Sequence, residues 1–447
     1  MPRKIVLLWL CLSSFLFSAT FDLQVANNDY QEDLNLLTSK ILKYHPGLYG
    51  DTPILDKNII EEKYTESMEK LQNVDSLVDF YFTASEFLTY LDDGHARVNY
   101  GLFDGRLLPI HFTWINGELF VTKSYNPKYE DCVYKKVTKI NGMDVLDFEK
   151  EVNRYLSSDY NNIYQQRKEI YGNNYNFIGY DFHKQICPEI TDSCSLTFFD
   201  GTSIDVAFES WEDYEEIAYT LITCRNEITA VEFENTVKLL KDDNAAYLQV
   251  TTKKMTPDFL HSMFRSIEEN NIDNLIVDLR NCGGGHGGES LVLAIPYLIS
   301  EPTNVKGLNA WNVENGQLIA SKGNYPVFPM KPVEEYSFKG KVYVFVNGFT
   351  FSAANLSTLI LKNNNLATII GEPTGNNYTR FGQALRTKLP NSKLKAKFSV
   401  KLWENINGEN DFEKAIEPDI LVRPTIDNYI NHTDPLWDYY LENLVTK

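Results

Sequence analysis

Three stretches of this 447-residue chain hold the side chains that nucleophilic chemistry needs. The first is Leu91-Asp92-Asp93-Gly94-His95, an imidazole just after a glycine turn. Histidine is the usual base for a hydroxyl near neutral pH, although a single histidine in such a place also serves purely structural ends. The second is LIVDLRNCGGGHGG at 275–288, an apolar run that breaks into consecutive glycines and then a helix start. Such glycines let the backbone approach a ligand and aim several N–H groups at one point. The segment reads as an oxyanion hole, a tight strand–helix turn or a phosphate loop; no Lys-Ser or Lys-Thr follows it, which excludes a Walker-type loop. The third is VYVFVNGFTFSAAN at 342–355, with Ser352 at a helix start. Free N–H groups and the helix dipole favour a developing anion there. A plain helix cap is the other role open to the same serine. Two further polar turns, LATIIGEPTG at 366–375 and AIEPDI at 415–420, complete the set.

The elements that must position these residues change character along the chain. Residues 20–92 read mainly as helices, one of them over 29–45 and stopping near His45 and Pro46. From Asp75 to Leu91, the apolar residues Leu77, Tyr81, Ala84, Leu88 and Leu91 recur at three-to-four spacing on one helical face. That helix is expected to end at Asp92-Asp93-Gly94, with Gly94 in a left-handed cap. Residues 100–210 alternate short apolar runs with the hairpin signals Asn116-Gly117, Asn141-Gly142 and Asp200-Gly201, plus a helix near 146–156. From about residue 235 the strand-length runs AAYLQV, LIVDLR, VYVFVN and ATIIG alternate with helical segments, the pattern of an α/β layer with buried strands.

Composition narrows the setting. The formal charge of −19 disfavours phosphate backbones and anionic membranes as partners, so no nucleic-acid role is expected. Arg3 and Lys4, the apolar stretch Ile5 to Phe17 and Ala19 read as a signal peptide, too short to be a comfortable span. The expected setting is therefore secreted, extracellular or periplasmic, with no stable membrane insertion after cleavage. Of the six cysteines, Cys11 would leave with that segment. Cys187 and Cys194 bracket a short loop and are the expected disulfide pair, and the odd remainder leaves at least one free thiol. No cysteine or histidine spacing suggests a metal, and no cofactor is expected.

Taken together, the five segments resemble the tail-specific and tricorn-core serine peptidases, family S41, and they occur in the family's order over roughly residues 30–425. DGH at 93–95 resembles the family's DGHT, with Ala96 for Thr; DLRNCGGG at 278–285 resembles DLRxNxGG; TFSAAN at 350–355 resembles TFSAAE, with Asn355 for Glu. GEPTG at 371–375 and IEPDI at 416–420 resemble two further signatures, and the stretch around KVTKINGMDV resembles the family's PDZ-like module. The resemblance implies Ser352 as nucleophile and the N–H groups of Ala353 and of Gly284 and Gly285 as oxyanion donors. One branch of the family uses a lysine base; the matching position here holds Asn377. The other branch takes its base from the segment matched by His95, which assigns His95 that role. Glu417 and Glu372 are both candidates to orient it. The implied fold is α/β and multi-domain: a signal peptide (1–19), an N-terminal helical segment (20–100), a PDZ-like β-rich module (101–210) and a crotonase-like ββα catalytic core (211–447). The implied partner is a peptide or unfolded protein. Asn355, Ala96 and the missing lysine keep open a catalytically inactive peptide- or ligand-binding protein on this fold, and an esterase using the same Ser–His pair is a third reading.

Overall fold

Buried apolar runs in the second half of the chain become the strands of a mostly parallel sheet. Its order is Thr236–Leu240, Ala245–Gln249, Asn274–Asp278, Lys341–Val346, Thr368–Gly371 and Ile420–Leu421; the first pair is antiparallel and the others parallel. The runs are continuously apolar because both sheet faces are covered. Ala246, Leu248, Leu275, Val277 and Val344 point into one core, shared with the helices Pro257–Glu269 and Ala353–Asn363. Their neighbours Ala245, Tyr247, Ile276, Tyr343 and Phe345 point into another, closed by Leu436, Trp437 and Tyr440 of the helix Pro435–Asn443. The computed structural model describes residues 21–99, 103–171, 178–210, 224–230, 232–322, 324–408 and 411–445. The expected signal peptide, with Arg3, Lys4, Cys11 and Ala19, lies outside these residues. No described helix is long and apolar enough to cross a membrane. The architecture is mixed α/β.

The amino-terminal helices Asp29–Tyr44, Lys57–Lys70 and Leu77–Thr89 begin at the side-chain caps Asn28, Asp56 and Ser76. They share one apolar core with an antiparallel sheet built from Ile110–Ile115, Glu118–Ser124, Lys136–Ile140, Ser193–Phe198 and Ser203–Ala207. The hairpin turns Asn116-Gly117 and Asn141-Gly142 hold both central residues at positive φ, the geometry that matches the twist of the flanking strands.

A third sheet, antiparallel and not foreseen in the strand–helix reading, joins the ends of the molecule. Arg97–Val98 pairs with Lys395–Asn405, which also pairs with Arg380–Lys388 and with the long strand Thr303–Glu314. Its Asn315-Gly316 turn, with both residues at positive φ, has the same hairpin geometry as the turns in the antiparallel sheet of the amino-terminal half.

Two expectations require correction. The left-handed residue after the helix Leu77–Thr89 is Asp92, at φ 45°, and Gly94 is not left-handed. Gly94 is needed for closeness instead: a Cβ there would stand 2.4 Å from Gln165 Oε1 and 2.8 Å from Asp159 Oδ1. The Cys187–Cys194 bridge is not formed. All five described cysteines are free thiols and all are buried. Cys194 lies on the inward face of the strand Ser193–Phe198, where burial raises its pKa and the neighbouring Cys187 adds to the effect.

Candidate active site

The turn that carries Ser352, the candidate nucleophile, starts where Lys341–Val346 leaves the sheet. Ser352 immediately precedes the helix Ala353–Asn363, at φ 54° and ψ −120°, backbone angles that cost a non-glycine residue of order 1–3 kcal/mol. Its side chain makes no capping bond, so the plain cap is not its role. The conformation is braced from two sides. The Ser352 N–H donates to Asn376 Oδ1. Gly284, at φ 101°, packs so closely that a Cβ would lie 2.6 Å from Ser352 Cβ and 2.8 Å from Ala353 N.

Gly284 and Gly285, both at positive φ, start the short helix Gly285–Ser290, which is pressed against the nucleophile helix. A Cβ on Gly288 would stand 2.4 Å from Ala354 N. The two helix starts, at Gly285 and at Ala353, thus meet beside the Ser352 side chain. Beneath them Cys282 is buried, its Sγ 3.2 Å from Thr251 O, and burial pushes the thiol up to about 11. His286 is exposed and faces Glu289 at 3.5 Å. A Cys–His nucleophile pair therefore has no basis here, and His286 does not line the site.

The glycine strand is anchored at its end by charge. Arg280 forms a paired contact with Asp434 at 2.8 and 2.7 Å and also binds Asp278, while Tyr247 donates to Asp278 and Arg225 stands 3.5 Å from it. Burial works to raise the Asp278 pKa, but Arg225 and Arg280 hold the carboxyl well below its ordinary range. Asp434 is also the cap of the helix Pro435–Asn443, donated to by Leu436 N at 3.0 Å.

The imidazole comes from the far side of the sequence. His95 Nε2 lies 3.1 Å from Ser352 Oγ, across 257 positions. The ring is 8% exposed and lies against Phe351, with centroids 4.7 Å apart. Burial pushes its pKa down to about 3; Asp93 opposes this, while Lys397, Lys168 and Arg380 add to it. The ring is therefore neutral at physiological pH.

The carboxylate beside it is Asp93, in place of either glutamate expected from the sequence. Asp93 Oδ1 lies 3.8 Å from His95 Nδ1 and accepts the His95 backbone N–H at 2.9 Å. The Nδ1 atom has no hydrogen-bond partner among the described residues. Asp93 also accepts Ser399 N and Ser399 Oγ, both at 2.7 Å. On its other side stands His45, whose Nδ1 accepts the Gly47 N–H at 3.3 Å; its proton therefore sits on Nε2, 3.6 Å from Asp93 Oδ2. Burial works to raise the Asp93 pKa, but contact with His45 and the other donors holds it down to about 2. Glu417 is exposed. Glu372 lines a separate cavity of about 430 Å³ at the ends of the parallel strands, with Arg423, Lys168 and Trp114. Nothing in the spacing of the chain marks Ser399 or His45 for this site. Asp93 was legible, two positions before the histidine.

The positions where the resemblance expects Lys and Glu hold Asn377 and Asn355. They form a neutral network: Asn355 Nδ2 donates to Asn377 O at 3.2 Å, and Asn355 Oδ1 accepts Thr374 Oγ1 at 3.1 Å. Asn377 Nδ2 donates to Phe412 O and to Asp159 O. Neither side chain is a proton acceptor for Ser352.

Residues 244–422 match the model of Peptidase family S41, so this segment is similar to the peptidases of that family. Among solved structures the chain is similar to mature CPAF complexed with lactacystin, at 15% identity and TM-score 0.65 over 93% of this chain and 97% of that one. It is also similar to a putative peptidase from Parabacteroides merdae, at 15% identity and TM-score 0.51 over 94% of this chain and 98% of that one. At such identities the likeness is one of fold.

Proposed function

We propose that this chain is an exported serine peptidase that cleaves peptides or unfolded protein through a Ser352 acyl-enzyme, with His95 as general base. The observation that carries the reading is the 3.1 Å separation of His95 Nε2 and Ser352 Oγ, with the serine strained and free of a capping role. The hydroxyl proton passes to Nε2 as Oγ attacks the peptide carbonyl. The imidazolium then gives that proton to the departing amine as the C–N bond breaks, and water later releases the acyl group by the same route. Nδ1 carries the proton of the neutral ring, and Asp93 is the group toward which it points, shortening the 3.8 Å gap as the imidazolium forms. The N–H of Ala353 and those of the Gly284–Gly285 pair face the developing oxyanion; one such donor is worth about a hundred- to a thousand-fold in rate. Export rests on the basic, apolar and small-residue order of positions 3–19.

The test uses a fluorophosphonate–rhodamine probe and fluorescein-labelled casein with the wild-type chain, Ser352→Ala and His95→Gln. Labelling and casein cleavage should both vanish in Ser352→Ala and fall about a hundred-fold or more in His95→Gln. Undiminished labelling in Ser352→Ala, or no cleavage of casein by a labelled wild-type chain, would overturn it.

A further inference from the structure

The two halves of the site come from distant parts of the sequence, and one buried carboxylate touches the backbone framework of both. Asp159 Oδ1 accepts the Gly94 N–H at 2.8 Å, directly before His95. Asp159 Oδ2 accepts Asn376 Nδ2 at 2.6 Å and Asn377 N at 3.2 Å. The other end of the Asn376 amide accepts the Ser352 N–H. A continuous path thus runs from the nucleophile's N–H through Asn376 and Asp159 to the peptide group that precedes the base.

Three features mark Asp159 as more than a buried acid that has found partners. It is fully buried, so every bond it makes replaces water it has lost. The turn that delivers it is strained: the next two residues, Tyr160 and Asn161, sit at φ 36° and 56°, a cost kept where surrounding structure requires the geometry. The adjoining Gln165 repeats the clamp, donating to Gly94 O at 2.9 Å and accepting the Asp159 N–H at 3.1 Å. Burial, joined by nearby Asp93, pushes the Asp159 pKa up to about 6, the donors on its two oxygens oppose that rise, and the carboxylate stabilises the charge of buried Arg380.

We infer that Asp159 is a positioning residue for the acyl transfer, setting the spacing of His95 from Ser352 by holding the Gly94 peptide and the Asn376 amide on its two oxygens. The inference rests on the reading of Ser352 as nucleophile. It also gives Asn376 a defined role: by taking the Ser352 N–H, Asn376 leaves Ala353 and the glycine pair as the donors for an oxyanion.

The polarity of the path supplies the experiment. Asp159→Asn presents an NH2 where one of the donors now arrives, so one side of the path breaks. Adding Asn376→Asp restores the match along the path, though not at the Asn377 N–H: the introduced carboxylate accepts both the Ser352 N–H and the introduced amide, whose oxygen still accepts Gly94 N–H. The rate of fluorophosphonate–rhodamine labelling is measured against probe concentration, so that maximal rate and half-saturation separate, with thermal unfolding recorded for each variant. Asp159→Asn should lower the maximal rate about 10- to 100-fold and leave half-saturation within about threefold, and the double variant should regain at least tenfold of a hundred-fold loss. A folded Asp159→Asn with an unchanged maximal rate overturns the inference, as does a folded double variant no faster than the product of the single losses. Labelling of the wild-type chain that survives Ser352→Ala would instead remove the reading beneath it.

Discussion

The proposed nucleophile and its proposed base are held by different kinds of structure. Ser352 is placed by backbone packing: a strand covered on both faces, a helix, and glycines pressed so close that no Cβ fits between them. His95 is placed by side-chain hydrogen bonds, from Ser399 through Asp93 and from Asp159 and Gln165 onto Gly94, with His45 standing 3.6 Å behind Asp93. Packing of the first kind fails abruptly when an atom is added, because interiors do not yield continuously. A bonded scaffold of the second kind has several members and loses function in steps.

That contrast can be broken at its stiffest point. Gly284→Ala should abolish fluorophosphonate labelling, a loss of at least a hundred-fold, because the added methyl requires both φ 101° and the space now held by Ser352 Cβ. Near-normal labelling would mean that the glycine turn is compliant and the contrast false. Asp93→Asn tests the other side. It keeps the volume but presents an amide to the donors His95 N–H and Ser399, and it removes the charge that supports an imidazolium. A loss of about 10- to 100-fold in maximal labelling rate is expected, with the fold retained by circular dichroism. A rate within twofold of wild type would take Asp93 out of the site.

The smallest effect sharpens the comparison by leaving activity aside. Burial raises the Glu372 pKa to about 7, with Arg423 opposing it. The native state therefore holds this proton longer than the unfolded chain does, and stability falls as pH rises from the ordinary carboxylate range toward 7. Glu372→Gln should raise thermal stability at pH 8, by about 1–3 kcal/mol, and leave it unchanged at pH 4. An equal effect at both pH values would show that the carboxyl is not ionising in its cavity.

Much of the nucleophile side could be read from the chain, because backbone requirements leave local marks: apolar runs, consecutive glycines, a serine at a helix start. The base side was legible only as far as its own segment. His95 and Asp93 stand two positions apart, yet Asp159, Asn376, Ser399 and His45 are ordinary polar residues until the fold brings them together. The left-handed position at Asp92 was misread for a related reason. An aspartate tolerates that conformation, while Gly94 was spent on closeness, which no local pattern reveals. The pairing that brings Ser399 to Asp93 leaves no local mark, because its partners Arg97 and Lys397 lie some 300 positions apart, whereas the hairpins of the same sheet are local.

The contact between Arg280 and Asp434 couples the glycine turn to a helix on the far side of the sheet. The strand that ends in the glycine turn buries a guanidinium whose counter-charge sits 154 positions downstream, on the cap of the helix that closes the sheet. Until that helix docks, the buried guanidinium lacks the partner that offsets its burial. Breaking that one charge pair would loosen the glycine turn from a distance, through an uncompensated buried guanidinium, without altering any group at the site.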